Sequence, residues 1–507
     1  MKQVFIVSFI LSMLFGCSPH PEHVDIFVDG SSTITANANG SRQFPYKRPE
    51  QAFKILWKNG DGNGSEGNRP QRIRIHFRAI DTSGNPITYF FDSSDAPIHI
   101  HECHDFQLIG GWPGESQRPI LDGGSVGSGD SEIRYGKMND AFHRFRFMNC
   151  HHFRISNFVF RNFQFSAILV VYSSHFEISN NLILPVYNIC HNLDGSNTRF
   201  GYGTQSIGVY MCNEASAGYE LSDEKDYSYK TGTIHDNIVI SEPISNAHNW
   251  GIYFTGGVNN VAVFRNILLN AGMSCKSIHG TDFQNPLEAG AFHNILVSQN
   301  VFCNCRTGLS LYDGNPTDPF WNENVIVEKN WFKAGDFIHW KWEFEDDCYA
   351  ACPGLANGTE MNHCWSHGSM IKNIGLKGLR VFGNLFDFSD VNMNMSIRHE
   401  DETNGSVSEL RVFQFTPDMY YSFNTEPENL TMSDNFYLFK GQSICAQAVQ
   451  ALYTAETQRN RISFENWKCQ YDTNSSVGYS RSVYEQKFPR NWYVLCDLWK
   501  KYLAAQN

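Results

Sequence analysis

Seven segments along the chain repeat one order of apolar and polar positions: FEISNNLI, TIHDNIVI, VAVFRNIL, ILVSQNVF, VIVEKNWF, LRVFGNLF and LTMSDNFY. Each alternates apolar with polar residues, reaches an Asn, and resumes with apolar residues. The shared positions are Asn181, Asn237, Asn266, Asn300, Asn330, Asn384 and Asn435. An eighth segment, FRISNFVF, carries Asn157 one place early. Alternation at period two belongs to a strand and not to a helix, and β-branched and aromatic residues fill the apolar places. Those apolar residues are expected to face a core.

From Asn237 to Asn330 the Asn positions are 29, 34 and 30 residues apart, the length of one coil of a parallel β-helix with modest loops. The other gaps, 56, 54 and 51 residues, fit two coils or one coil with an insert. A second strand type, SAILVVYS, SIGVYMCN, WGIYFTGG and TGLSLYDG, falls between the repeats, so each coil holds at least two strands separated by a turn. Asn suits that turn twice over. It tolerates left-handed backbone angles, and amides stacked in successive coils bond to one another and to turn backbone. These Asn residues are read as a structural ladder and not as catalytic groups.

The repeats resemble those of the right-handed parallel β-helix superfamily that includes pectate lyase-like and related sugar-active proteins. Other segments extend the likeness over roughly residues 25–480. Phe27 to Lys54 (FVDGSS…GSRQFPYKRPEQAFK) resembles the opening of such proteins, with a short helix that starts at Pro49 and caps the first coil. FQLIGGWPGESQRPILDGG resembles early coils, and SFENWKCQYDTNSS resembles a tail that follows the last ones. The resemblance implies an all-β solenoid, and its chemistry ranges over lyases, hydrolases, epimerases and non-catalytic adhesins. Two family signatures are missing: the paired-Asp strand motif of the pectin hydrolases and the short basic strand motifs of the pectate lyases.

Composition agrees with an elongated repeat. The 507 residues exceed most single globular cores, and they include 39 Phe and 40 Gly with only 18% charged residues. A net charge of -12 without a Lys/Arg-rich stripe argues against nucleic acid. A polyanionic sugar remains open, because a local basic site can sit on an acidic protein. At the N-terminus, Lys2 and the apolar run Val4 to Phe15 read as a secretory signal, too short to span a bilayer as a folded helix. The run ends in Leu14-Phe15-Gly16-Cys17, which resembles a bacterial lipobox and implies cleavage before Cys17 and lipid on it. The expected organisation is a signal peptide at 1–16, a lipid-anchored linker at 17–24, the β-helix at 25–440 and a C-terminal cap at 441–507. In that cap CAQAVQALYTAETQRN and WYVLCDLWKKYLAAQ have helical spacing and would close the open end of the solenoid. The chain is expected to be an exported monomer that meets the membrane only through its lipid.

Insertions on a solenoid cluster on one face and often form its binding site. Inserts at 188–231, 271–293 and 333–374 are rich in His, Asp, Glu, Tyr and Trp, and are expected to converge on a single groove holding a polysaccharide. A lyase on this fold uses a Lys or Arg base beside a uronate carboxylate neutralised by calcium or basic residues. Lys276, His279 and Arg306 are candidates for that work. A hydrolase needs two carboxyl groups, for which Asp282, Glu288 and Asp313 are candidates, with Asp194 and Glu242 behind them. His248, Trp250 and Tyr312 are candidate sugar contacts. The acidic run Glu343, Glu345, Asp346 and Asp347 offers oxygen ligands for Ca2+ without the spacing of a defined calcium loop. Export would permit disulfides among the 14 cysteines, and the set Cys348, Cys352 and Cys364 with His363 matches no standard zinc finger. A non-catalytic glycan-binding or adhesion protein is the alternative to an enzyme.

Overall fold

In the computed structural model the chain winds into the expected parallel β-helix. The structure describes residues 23–34, 36–60, 72–90, 98–123, 145–163, 166–186, 188–191, 197–200, 205–210, 232–241, 250–256, 258–276, 292–305, 307–312, 323–333, 369–374, 377–389, 411–416, 430–439, 450–455, 458–463, 469 and 472–505. One coil shows the plan. Ser166–Val171 lies in a sheet called here sheet 1, Ser174–Ser179 in sheet 2 and Leu182–Ile183 in sheet 3. Among the described residues, repetition gives three sheets of eleven strands each, parallel throughout except for one hairpin at the end of sheet 1. The alternating apolar residues face inward as expected. Phe153, Ile155, Ile178, Ile234, Val263, Val297, Val327 and Val381 join one continuous core.

The Asn ladder runs through the corner between sheets 2 and 3. Each backbone N–H and side-chain amide donates to the next Asn Oδ1 in an unbroken chain from Asn181 through Asn237, Asn266, Asn300, Asn330 and Asn384 to Asn435, at 2.9–3.0 Å. Asn181 bonds Asn237 directly, and Asn330 bonds Asn384, so the long gaps are single coils with inserts. Asn435 ends the series on Ser475 Oγ and the buried Asp472.

One expectation is corrected. The left-handed bend and the ladder do not fall on the same residue. The bend belongs to the residue before, namely Asn180, Asp236, Arg265, Gln299, Lys329, Gly383 and Asp434, all at positive φ. Except at the buried Gly383, that residue turns the backbone in contact with solvent, so its chemistry is free to vary. The next points into a dry corner where one side chain must both donate and accept, and Asn does this. Asn157 is thus a bend residue (φ 65), not a misplaced ladder residue. Buried Phe158 takes the ladder place, and its N–H donates to Asn181 Oδ1.

The N-terminal helix α1 (Pro49–Gly60) caps the first coil, seating Ala52, Phe53 and Leu56 in the core. The C-terminal expectation is corrected twice. Part of CAQAVQALYTAETQRN forms two strands: Gln450–Ala455 pairs parallel to Arg411–Thr416, and Gln458–Ser463 folds back antiparallel on Gln450–Ala455, because each strand edge offers backbone groups that pairing satisfies. Parallel pairing in sheet 3 also continues past residue 440, to Ser476–Gly478. The second segment is helical, but α2 (Arg481–Lys487) and α3 (Pro489–Ala505) lie along the outside of sheet 3 and do not close the end. The outward row Ile238, Ile267, Val301, Trp331, Leu385 and Phe436 is apolar, and Tyr484, Leu495, Leu498 and Tyr502 bury it.

Buried Asp387 fastens this clasp. Its carboxylate accepts from Trp331 Nε1, Arg481 Nε, and Ser389 N and Oγ. Asp387→Ala leaves those donors unpaired and is expected to cost about 2–3 kcal/mol. Limited proteolysis should then release the C-terminal helices before the solenoid melts. Unchanged protease resistance would count against the clasp.

No helix among the described residues is long and apolar enough to cross a membrane, and none of their His, Cys, Asp and Glu side chains form a metal-binding group. Cys305 is a free thiol in the core, and Cys303 lies in the layer beneath α3. Cys17, the acidic run at 343–347 and the Cys348, Cys352, His363 and Cys364 set lie outside the described residues.

Candidate functional site

The corner between sheets 2 and 3 stays tight because the ladder allows only two residues there. Long connections therefore leave the solenoid at the two corners that bound sheet 1. Residues 241–249, 334–368 and 389–410 join sheet 3 to sheet 1, and residues 211–231, 277–292, 313–322 and 417–429 join sheet 1 to sheet 2. The expected inserts are thus redrawn. The range 188–231 is two insertions separated by the sheet 1 strand Gln205–Tyr210, with an antiparallel hairpin, Asn188–His191 and Asn197–Phe200, in the first. Gly272–Lys276 and Ser369–Ile374 are regular strands of sheet 1. The sequence led to the expectation of equivalent turns; instead these connections join strands at both of the corners that bound sheet 1.

Two outward rows cross that face. In register, one runs Arg146, Leu169, Gly208, Tyr253, Ser274, Ser310 and Lys372. The other runs Met148, Val171, Tyr210, Thr255, Lys276 and Tyr312. Though they point away from the core, Arg146, Leu169, Val171, Tyr210, Thr255 and Ser274 are all buried, which makes this face a floor and not an open surface. The rings of Tyr210 and Tyr253 meet edge to face at 6.1 Å. The Tyr210 hydroxyl donates to Gln205 Oε1, and both side chains reach over Gly208. Thr255 Oγ1 is buried and makes no hydrogen bond within the protein. Beneath the floor, burial pushes the Cys275 thiol well up, which keeps it a neutral core group and not a nucleophile.

Of the candidates from the sequence, the fold brings Lys276 and Tyr312 into adjacent register positions, with Trp250 at the start of the strand before Lys276. Lys276 lies on a strand and not in an insert. His248, His279, Asp282, Glu288, Arg306 and Asp313 lie outside the described residues. Sequence reasoning passed over Arg146, Gln205, Tyr210 and Tyr253. The signal was present in the second strand type, whose alternate residues face outward once its inward set is fixed.

Gly208 makes room for the side chains that pack over it. A Cβ there would lie 2.9 Å from Leu169 Cδ1 and 3.1 Å from Gln205 Oε1. Gly208→Val is expected to weaken polysaccharide binding at least about tenfold with a small fall in Tm. Undiminished binding in a titration would show that ligand does not use this part of the face.

No protein-family model matches the chain, and no curated protein does. Among solved structures, it is similar to PfbA, a surface adhesin of Streptococcus pneumoniae, at 11% identity and TM-score 0.41, covering 84% of this chain and 88% of that one. It is also similar to DFA-IIIase from Arthrobacter chlorophenolicus A6, at 11% identity and TM-score 0.39 over 89% of this chain and 92% of that one. A rhamnogalacturonan lyase aligns at 8% identity and TM-score 0.31, covering 82% and 68% respectively.

Proposed function

We propose that the chain is an exported, carbohydrate-active β-helix protein, tethered to a bacterial membrane by lipid on Cys17, and that its sheet 1 face cleaves a uronic-acid-containing polysaccharide by elimination. One observation carries this reading. Among the described residues, none of the eleven strands of sheet 1 contains Asp or Glu, although the chain has 52 acidic residues against 40 basic ones. The same strands carry Arg146, Lys276, Lys372, Arg411, Arg459 and Arg461. A basic, acid-free strip on an acidic protein favours a polyanion lying along the axis. Hydrolysis needs two carboxyl groups, which these strands do not offer, whereas elimination needs one base.

In the proposed reaction Lys276, as the neutral amine, removes the proton beside the uronate carboxylate. The glycosidic bond then breaks, its oxygen leaving with a proton from the Lys276 ammonium or from water, and an unsaturated sugar remains on the other product. Basic residues of the strip neutralise the carboxylate, and tyrosines of the floor stack on the rings. The test is a panel of polyuronates and neutral polysaccharides, followed by ultraviolet absorbance of unsaturated products and by reducing ends. Absorbance with polyuronates supports the reading. Reducing ends without absorbance would mean hydrolysis, and binding without either product would mean a glycan-binding or adhesion protein.

A further inference from the structure

Sheet 2 carries a concavity of its own on its outer face, a cleft of about 480 Å³. Its floor is the outward row Gln107, Arg154, Glu177 and Thr233, in register on four successive coils. His152 and His175 stand on the rim with rings stacked at 4.4 Å, both at left-handed backbone positions that turn them out of the strand. Arg154 Nε lies 3.3 Å from Glu177 Oε1. That carboxylate oxygen also accepts from Ser179 Oγ at 2.9 Å and sits 3.2 Å from His235 Nε2. Arg154 Nε is itself buried without a hydrogen bond, while much of the rest of the side chain remains exposed.

We propose that this cleft binds a neutral glycosyl unit through a pair of neighbouring hydroxyl groups. A sugar hydroxyl both donates and accepts. A guanidinium, which only donates, beside a carboxylate, which only accepts, offers complementary partners to two adjacent hydroxyls. Gln107 and Thr233 extend the row with groups that do both. Charge selects against the alternatives: an anion would face Glu177, and a cation would face Arg154. The rim adds no charge from His175 at neutral pH, because burial, and then the neighbouring His152, lower its pKa. A cleft of this size suits one or two sugar rings. The site is separate from the sheet 1 face and does not depend on the lyase reading.

Calorimetric titration of the full chain with short linear gluco-, xylo- and manno-oligosaccharides tests it, with oligogalacturonate as the acidic comparison. At least one neutral series is expected to bind saturably. Arg154→Gln and Thr233→Val should each weaken that binding about tenfold, and Lys276→Ala should leave it in place. The proposal is overturned if no neutral oligosaccharide binds the wild-type protein, if only the acidic one does, or if binding falls in Lys276→Ala and not in the sheet 2 variants. Thr233→Val preserves shape and decides the matter should Arg154→Gln fail to fold. Elimination activity, measured on the same variants, reports the sheet 1 face independently.

Discussion

Asn300→Ala is expected to lower stability by about 3–4 kcal/mol, more than one lost hydrogen bond would. Asn300 is fully buried in the middle of the ladder. Its amide donates to Val263 O, Ser298 O and Asn330 Oδ1, and its Oδ1 accepts from both the backbone N–H and the amide of Asn266. Alanine removes all of these at once and leaves the Asn266 N–H and the Val263 carbonyl without partners in a corner closed to water. The cost of unsatisfied buried groups dominates, because the volume lost is small. Asn300→Asp separates the roles. It keeps the acceptor, loses both amide donors and adds a charge, so it should do no better than alanine. Chemical denaturation reads the result, and a midpoint within error of wild type for either variant would refute the energetic role given to the ladder. The bend residue beside it is the internal control: Gln299→Asn, at a left-handed position open to solvent, should be close to neutral.

Lys276→Ala should lower turnover on a polyuronate substrate by about 10²–10⁴-fold, the range expected on losing a general base. The loss should fall on kcat more than on KM, since the aromatic floor and the other basic residues of sheet 1 still hold substrate. Lys276→Arg should not rescue it, because a guanidinium does not give up its proton at accessible pH. The pH profile distinguishes a base from a binding charge. With Lys276 as base, the rate rises as its ammonium loses a proton, and that limb disappears in the alanine variant. A residue that merely positioned substrate would leave the limb in place. Wild-type turnover in Lys276→Ala would move the base elsewhere and remove the main support for elimination at this position.

The repeat made the fold legible because a solenoid coil is nearly a local object. Each FEISNNLI-type segment supplies one strand, one corner and the start of the next strand, and contacts only the coils above and below. Alternation in the segment around Ile295 and Val297 was enough to decide which side chains enter the core. The candidate site was only partly legible. Lys276, Trp250 and Tyr312 could be named from residue type, but the separation between insert and strand could not, and Lys276 was assigned to the wrong side of it. Tyr210 and Tyr253 lie inside largely apolar strands, where only alternation against the inward set separates an outward tyrosine from a core one.

The sequence alone determined the parallel β-helix, the Asn ladder and its period, and the helix that caps the first coil. Each is written in the spacing of neighbouring residues. Only the tertiary structure decided which of two consecutive residues bends the corner and which fills it. Only the stacking of coils revealed that all strands of one sheet are free of Asp and Glu, since those residues are scattered over the chain from Ile98 to Ser463. The placement of α3 was likewise decided by stacking. Its apolar face is plain in sequence, but its partner is a row built from one residue of each of six coils, from Ile238 to Phe436. Chain-local patterns encode what one coil does, while surfaces made by many coils exist only after they stack.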